Sequence, residues 1–120
     1  MKKIILLIFF FLYLYAEFIQ IYPTSNKQVD LLSEFKKKCK ENPQKCEVLA
    51  NYYYGIRNKK TIVIKYYNIS CNAGNSIACI NLGSIYWLEK NNKESINFFT
   101  KACNLGNKEA CSILDILNKM

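Results

Sequence analysis

A cysteine-bounded segment recurs along this chain and constrains its fold more than any other feature. The sequence Cys71-Asn-Ala-Gly-Asn-Ser-Ile-Ala-Cys79 returns 32 residues later as Cys103-Asn-Leu-Gly-Asn-Lys-Glu-Ala-Cys111, with six of nine positions identical. A shorter copy, Cys39-Lys-Glu-Asn-Pro-Gln-Lys-Cys46, begins 32 residues before Cys71. All six cysteines fall in these copies. The chain is therefore a repeat array, in which each copy is expected to form the same supersecondary unit.

The spacing of the cysteines predicts a helical hairpin. In one continuous helix, residues eight apart are separated by about 12 Å, too far for a disulfide. A turn at Gly74-Asn75 would instead place Cys71 and Cys79 at the same height on two antiparallel helices. We therefore predict a disulfide within each copy. The predicted pairs are Cys39 with Cys46, Cys71 with Cys79, and Cys103 with Cys111.

The residues between the cysteines have the chemistry of a turn. Gly74 and Gly106 suit the left-handed position that ends a helix, and Asn75 and Asn107 can cap the next helix. In the first copy, Asn42-Pro43 offers an N-cap followed by proline at the first helical position.

The first sixteen residues have the pattern of a bacterial secretory signal peptide. Met-Lys-Lys is followed by an uncharged, mostly apolar run over residues 4–16, and we place the cleavage after Ala16. The run is too short to span a bilayer comfortably, so an uncleaved anchor is the lesser alternative, and no stable membrane anchor is expected after cleavage. An export signal together with six evenly placed cysteines predicts an oxidising compartment, so the protein is expected to be periplasmic or secreted.

Composition argues against metal and nucleic-acid binding. The chain has no histidine, and its cysteines lack the close spacing of zinc ligands, so no metal or cofactor is predicted. Thiol exchange is a weak alternative because Cys-x-x-Cys is absent. The formal charge is +8, or +6 without Lys2 and Lys3. An exported protein rarely meets nucleic acid, and the lysine run at residues 36–40 is interpreted as a solvated helix face.

Repeat register predicts helices throughout residues 29–120. Residues 61–70 resemble a strand by propensity, but Ile64 and Tyr66 align with Ile96 and Phe98 in a more helical segment. The predicted fold is all-α, an α/α superhelix (solenoid) of about three disulfide-stapled helix pairs. Its parts are a signal peptide at 1–16, an irregular segment at 17–28 containing Pro23, and repeats at about 29–56, 57–88 and 89–120.

Aromatic residues recur at matching repeat positions. They are interpreted as core and inter-repeat packing in preference to a ligand cage, while Ala78 and Ala110 are expected to mark close helix crossings. The aromatic residues are Tyr53, Tyr66, Tyr67, Tyr86, Trp87, Phe98 and Phe99. The last helix lacks a polar capping helix after it. Either the disulfides compensate, or the apolar end bearing Ile113, Leu114, Ile116 and Leu117 docks on a partner.

These motifs resemble a known repeat family. Gly74-Asn-Ser-Ile-Ala78 followed by Asn81-Leu-Gly-Ser-Ile-Tyr86 resembles the Sel1-like, TPR-like repeat, whose core is G-x-x-x-A-x-x-N-L-G-x-x-Y. With cysteines eight apart, the chain is similar to the Helicobacter cysteine-rich protein family over about residues 30–118. It departs from that family in its shorter repeat and in Asp115, which stands where Gly83 lies in the preceding copy.

The resemblance implies two different functions. Sel1-like repeats are scaffolds, which predicts binding of a protein, peptide or cell-wall-derived ligand. The cysteine-rich family is also described as penicillin-binding with weak β-lactamase activity. The alternative is therefore a hydrolase acting on β-lactam or peptidoglycan-like amide bonds.

No catalytic site follows from the residues. The absence of histidine excludes a Ser-His-Asp triad. Ser33 and Lys36 match Ser-x-x-Lys, but this composition gives about one such match by chance, so catalytic residues stay unassigned and enzymatic activity uncertain.

Overall fold

The computed structural model describes residues 1–21 and 25–120, with the side chains of residues 1–17 and 28–120. Within these ranges the chain is all-helical, as predicted. A 3-10 turn, Pro43–Lys45, precedes the third helix. The α-helices are α1 (Lys2–Ile21), α2 (Ser25–Glu41), α3 (Cys46–Tyr54), α4 (Lys60–Asn72), α5 (Ser76–Leu88), α6 (Asn92–Asn104) and α7 (Lys108–Asn118).

The chain divides into two compact units, Met1–Glu34 and Phe35–Met120. The irregular segment predicted at residues 17–28 is wrong where the structure describes it. Helix α1 continues to Ile21 because residues 17–21 contain no glycine or proline, and α2 already begins at Ser25. Residues 22–24, including Pro23, lie outside the described residues. The described helices include none that is long and apolar enough to cross a membrane.

The unit Phe35–Met120 is an α solenoid in which each helix from α3 to α7 packs against the next. Helix α4 confirms that repeat register outweighs the strand-like propensity of residues 61–70. Leu49 and Leu82, which lie four residues before Tyr53 and Tyr86 at matching repeat positions, are both fully buried, and so are Ala78 and Ala110. The small side chains of Ala78 and Ala110 let neighbouring helices approach closely.

Three disulfides close the helix pairs in the predicted pattern. Each forms within one copy, between Cys39 and Cys46, Cys71 and Cys79, and Cys103 and Cys111, with Cα–Cα distances of 4.3, 4.8 and 4.7 Å. Closing a loop of this length stabilises the fold by roughly 2–3 kcal/mol. Such bonds persist outside the cytoplasm, so they indicate an oxidising, extracytoplasmic environment.

The turn between α4 and α5 has the predicted geometry. Gly74 has a φ of +97°, and the Asn75 amide donates across it to the Ser70 carbonyl at 3.1 Å. The Asn75 Oδ1 then accepts from the amides of Ile77 and Ala78. Glycine ends one helix and asparagine begins the next.

In the first copy, the helix that follows the turn begins differently from the corresponding helices of the second and third copies. The Asn42 Oδ1 accepts from the Gln44 amide at 3.0 Å, which confirms the predicted cap. The helix predicted from Pro43, however, starts as the 3-10 turn, and α3 begins only at Cys46.

We predict that Gly74→Ala lowers the free energy of unfolding by about 1 kcal/mol, because a Cβ is disfavoured in the left-handed region. Gly55→Ala is the matched control, since Gly55 has a φ of −84° and open space around its Cα. Urea unfolding of oxidised protein measures both. Equal effects of the two substitutions would contradict the role of the left-handed turn.

A second prediction concerns Gly83 in the middle of α5. A Cβ here would lie 2.8 Å from the Phe99 ring, so Gly83→Ala should destabilise the protein by about 1–3 kcal/mol. The same change in an unhindered helix would stabilise it by about 0.5–1 kcal/mol. Adding Phe99→Leu makes room for the methyl group, so the double variant should lose less stability than the sum of the single variants. Strict additivity in urea unfolding would contradict the contact.

Candidate functional site

The formal Ser-x-x-Lys match does not form part of a site. Ser33 and Lys36 are exposed on α2, and neither lines the grooves described below. The buried serines are equally unsuited to nucleophilic attack. Ser70 donates to the Gln44 carbonyl, and Ser95 donates to the Gly83 carbonyl at 2.8 Å. Among the described residues, no cluster of histidine, cysteine or carboxylate side chains could hold a metal ion.

One groove of about 280 Å³ lies beside the α3–α4 loop and is called the loop groove. Val63 and Ile85 are buried beneath it, whereas Leu88 is 75% exposed. Two of its lining residues, Lys60 and Glu89, form an ion pair. The complete lining is Tyr54, Ile56, Asn58, Lys60, Val63, Ile85, Leu88 and Glu89.

A second groove of about 250 Å³ lies among α5, α6 and α7 and is called the apolar groove. Its lining is Ser84, Trp87, Leu88, Phe99, Ile113 and Leu117. Ser84 contributes a hydroxyl group to this lining, and the other lining side chains are aromatic or aliphatic. Leu88 lines both grooves, so they adjoin each other at the C-terminal end of α5.

The apolar groove occupies positions that are partly polar in the preceding repeat. Phe99 corresponds to Tyr67, whose hydroxyl donates to the Asn51 Oδ1 at 2.6 Å. Ser84 stands at the position of Asn51, and Ile113 at that of Asn81. Tyr67 and Asn81 are thus replaced by apolar residues in the next repeat, and Asn51 is replaced by the shorter serine. This change at equivalent repeat positions is the sequence signal that could have located the groove.

The aromatic residues divide between packing and exposure. Tyr53 stacks on Tyr66 with ring centroids 6.3 Å apart, and Tyr86 stacks on Phe98 at 5.6 Å. These equivalent pairs confirm the packing role predicted for them. For Trp87 the prediction is wrong, because this side chain is 38% exposed and lines the apolar groove.

Some apolar side chains of α7 line the apolar groove, and others are exposed to solvent. Ile113 and Leu117 line the apolar groove, while Ile116 is 61% exposed. Asp115 stands at the Gly83 position, where any Cβ would meet an aromatic ring of the next repeat. A helix packed on α7 as α6 packs on α5 would therefore meet a carboxylate.

Positive charge is concentrated in the repeat unit. Phe35–Met120 contains fourteen of the seventeen basic residues and six of the nine acidic ones, so this unit carries the whole formal charge of +8. Lys60 lines the loop groove, and Arg57 and Lys59 are close to it in sequence, in the α3–α4 loop whose Ile56 and Asn58 also line the groove. A field of this sign favours anionic partners.

Comparison with known proteins adds no relative. No family model matches the chain, and no curated protein matches it.

We predict that Tyr67 makes stability sensitive to alkaline pH. Burial, reinforced by the charge of Glu47, raises the pKa of Tyr67 to about 12. The unfolded chain ionises this hydroxyl near pH 10, so its contribution is complete below pH 10 and is lost as pH rises toward 12. Between pH 9 and pH 11 the wild type should lose about 1 kcal/mol more stability than Tyr67→Phe. Identical losses in urea unfolding would contradict this assignment.

Proposed function

We propose that this protein is an exported Sel1-like repeat scaffold that binds a protein or peptide partner, in the periplasm or outside the cell. The observation that carries the proposal is the pair of adjoining grooves, the loop groove and the apolar groove, with Leu88 between them. Large apolar side chains that stay exposed around a concave surface are typical of interaction sites. Leu88, the residue shared by both grooves, is 75% exposed.

The family assignment within this proposal is supported by how the motif residues are used. Gly74 ends α4 and Ala78 is fully buried in α5, where Leu82 also belongs to the core. Each conforms to the structural role that the Sel1-like pattern requires. The export assignment is supported by the apolar run at residues 4–16 and by the disulfides, which need an oxidising compartment.

No observation favours the hydrolase alternative. The described grooves bring together an ion pair, an asparagine, a tyrosine and a serine, without a base beside the Ser84 hydroxyl among their lining residues. Binding through a groove requires no such base.

Site-specific photocrosslinking tests the scaffold function. A benzophenone amino acid at position 88 should give a discrete crosslinked adduct in the envelope or extracellular fraction of the producing cells. The same amino acid at position 77 is the matched control, because Ile77 is also exposed on α5, at 54%, but lines neither groove. No adduct from position 88, or equal adducts from both positions, would contradict the proposal. So would turnover of a chromogenic β-lactam that is abolished by Ser33→Ala.

A further inference from the structure

The loop groove combines two properties that define one kind of ligand. Its floor is apolar and concave, because Val63 is 3% exposed and Ile85 is 8% exposed. Its rim is apolar too, with Tyr54 and Ile56 exposed by 58% and 42%. A large apolar side chain inserted here would bury surface on both floor and rim.

The loops beside the same groove carry an excess of positive charge, whereas the two charged residues that line it, Lys60 and Glu89, balance each other. Arg57 and Lys59 belong to the loop that borders it, Lys60 is the first residue of α4, and Lys90 follows Glu89 in the next loop. Glu89 pairs with Lys60 and offsets one of these four charges. An anionic group beside the inserted side chain would therefore lie in a positive field.

We propose that the loop groove binds an acidic peptide segment through one large apolar side chain flanked by aspartate or glutamate. This inference rests on the proposed function as a binding scaffold and assigns its partner class. The apolar side chain enters between Ile56 and Leu88, and the flanking carboxylates face Arg57 and Lys59. The apolar groove is not assigned the same ligand, because no charged residue lines it.

Charge and shape favour this occupant over two others. A second copy of the chain would bring a unit of formal charge +8 against another of the same charge, which is repulsive. An anionic membrane would satisfy the charge but presents a broad surface, whereas the buried floor of the groove suits a single projecting side chain.

Peptide titration of the oxidised full chain tests the assignment. The probe is a fluorescein-labelled peptide of about twelve residues, a tryptophan flanked by glutamates, and anisotropy is measured at low salt. Control peptides replace the tryptophan by serine or the glutamates by lysines. The acidic tryptophan peptide should bind, and each control should bind about tenfold more weakly or not at all.

Matched variants distinguish binding at the groove from a general effect of the protein's net charge. Arg57→Glu/Lys59→Glu should weaken binding about tenfold. Lys36→Glu/Lys40→Glu changes the net charge equally on exposed positions of α2 and should have a much smaller effect. Ile56→Ser should weaken binding about fivefold, whereas Ile116→Ser, an exposed isoleucine outside both grooves, should not. Thermal unfolding of each variant confirms that it remains folded.

Several results would overturn the inference. These are no binding of the acidic tryptophan peptide, equal effects of the two charge reversals, equal effects of the two isoleucine substitutions, or binding only to phosphatidylglycerol vesicles. If crosslinking from position 88 still succeeds in any of these cases, the scaffold function stands and only the acidic-peptide assignment fails.

Discussion

The rest of the structure depends on the covalent link across each two-helix turn. A disulfide between cysteines eight residues apart requires the chain to reverse between them, so it specifies where one helix ends and the next begins. Cys71 and Cys79 are also fully buried, and they therefore contribute to the core that they hold together. A repeat unit this small buries little apolar surface, and covalent links offset that deficit by restricting the unfolded chain.

The same turns join one repeat to the next. Asn75 caps α5 with its Oδ1, while its Nδ2 donates to the Gln44 carbonyl at 3.1 Å and to the Glu47 carboxylate at 2.8 Å, both in the preceding repeat. Asn107 repeats this arrangement by donating to the Ser76 hydroxyl at 3.2 Å. One side chain thus satisfies a helix terminus and an inter-repeat contact, so the stapled turn also sets the stacking of the array.

Function is expected where the repeats differ from one another. Between α3 and α4, the hydroxyl of buried Tyr67 donates a hydrogen bond to the side chain of exposed Asn51. In the next interface Phe99 and Ser84 cannot form that bond, and an apolar groove remains. The loop beside the loop groove differs from its equivalent in charge, since Arg57 and Lys59 correspond to Glu89 and Asn91 one repeat later. Repetition supplies the scaffold, and departures from it supply chemically distinct surfaces.

The sequence by itself determined the helix pairs, the turns and the disulfide pairing, because glycine conformation, asparagine capping and cysteine spacing act within a few residues of chain. Repeat register also identified α4 against its strand propensity. Local sequence predicts an irregular segment at residues 17–28, but residues 17–21 and 25–28 are helical because they contain no glycine or proline. Only the tertiary structure decided the grooves and the exposure of Trp87. Their lining residues come from different helices and a loop, and an open groove depends on the relative sizes of side chains that meet across an interface.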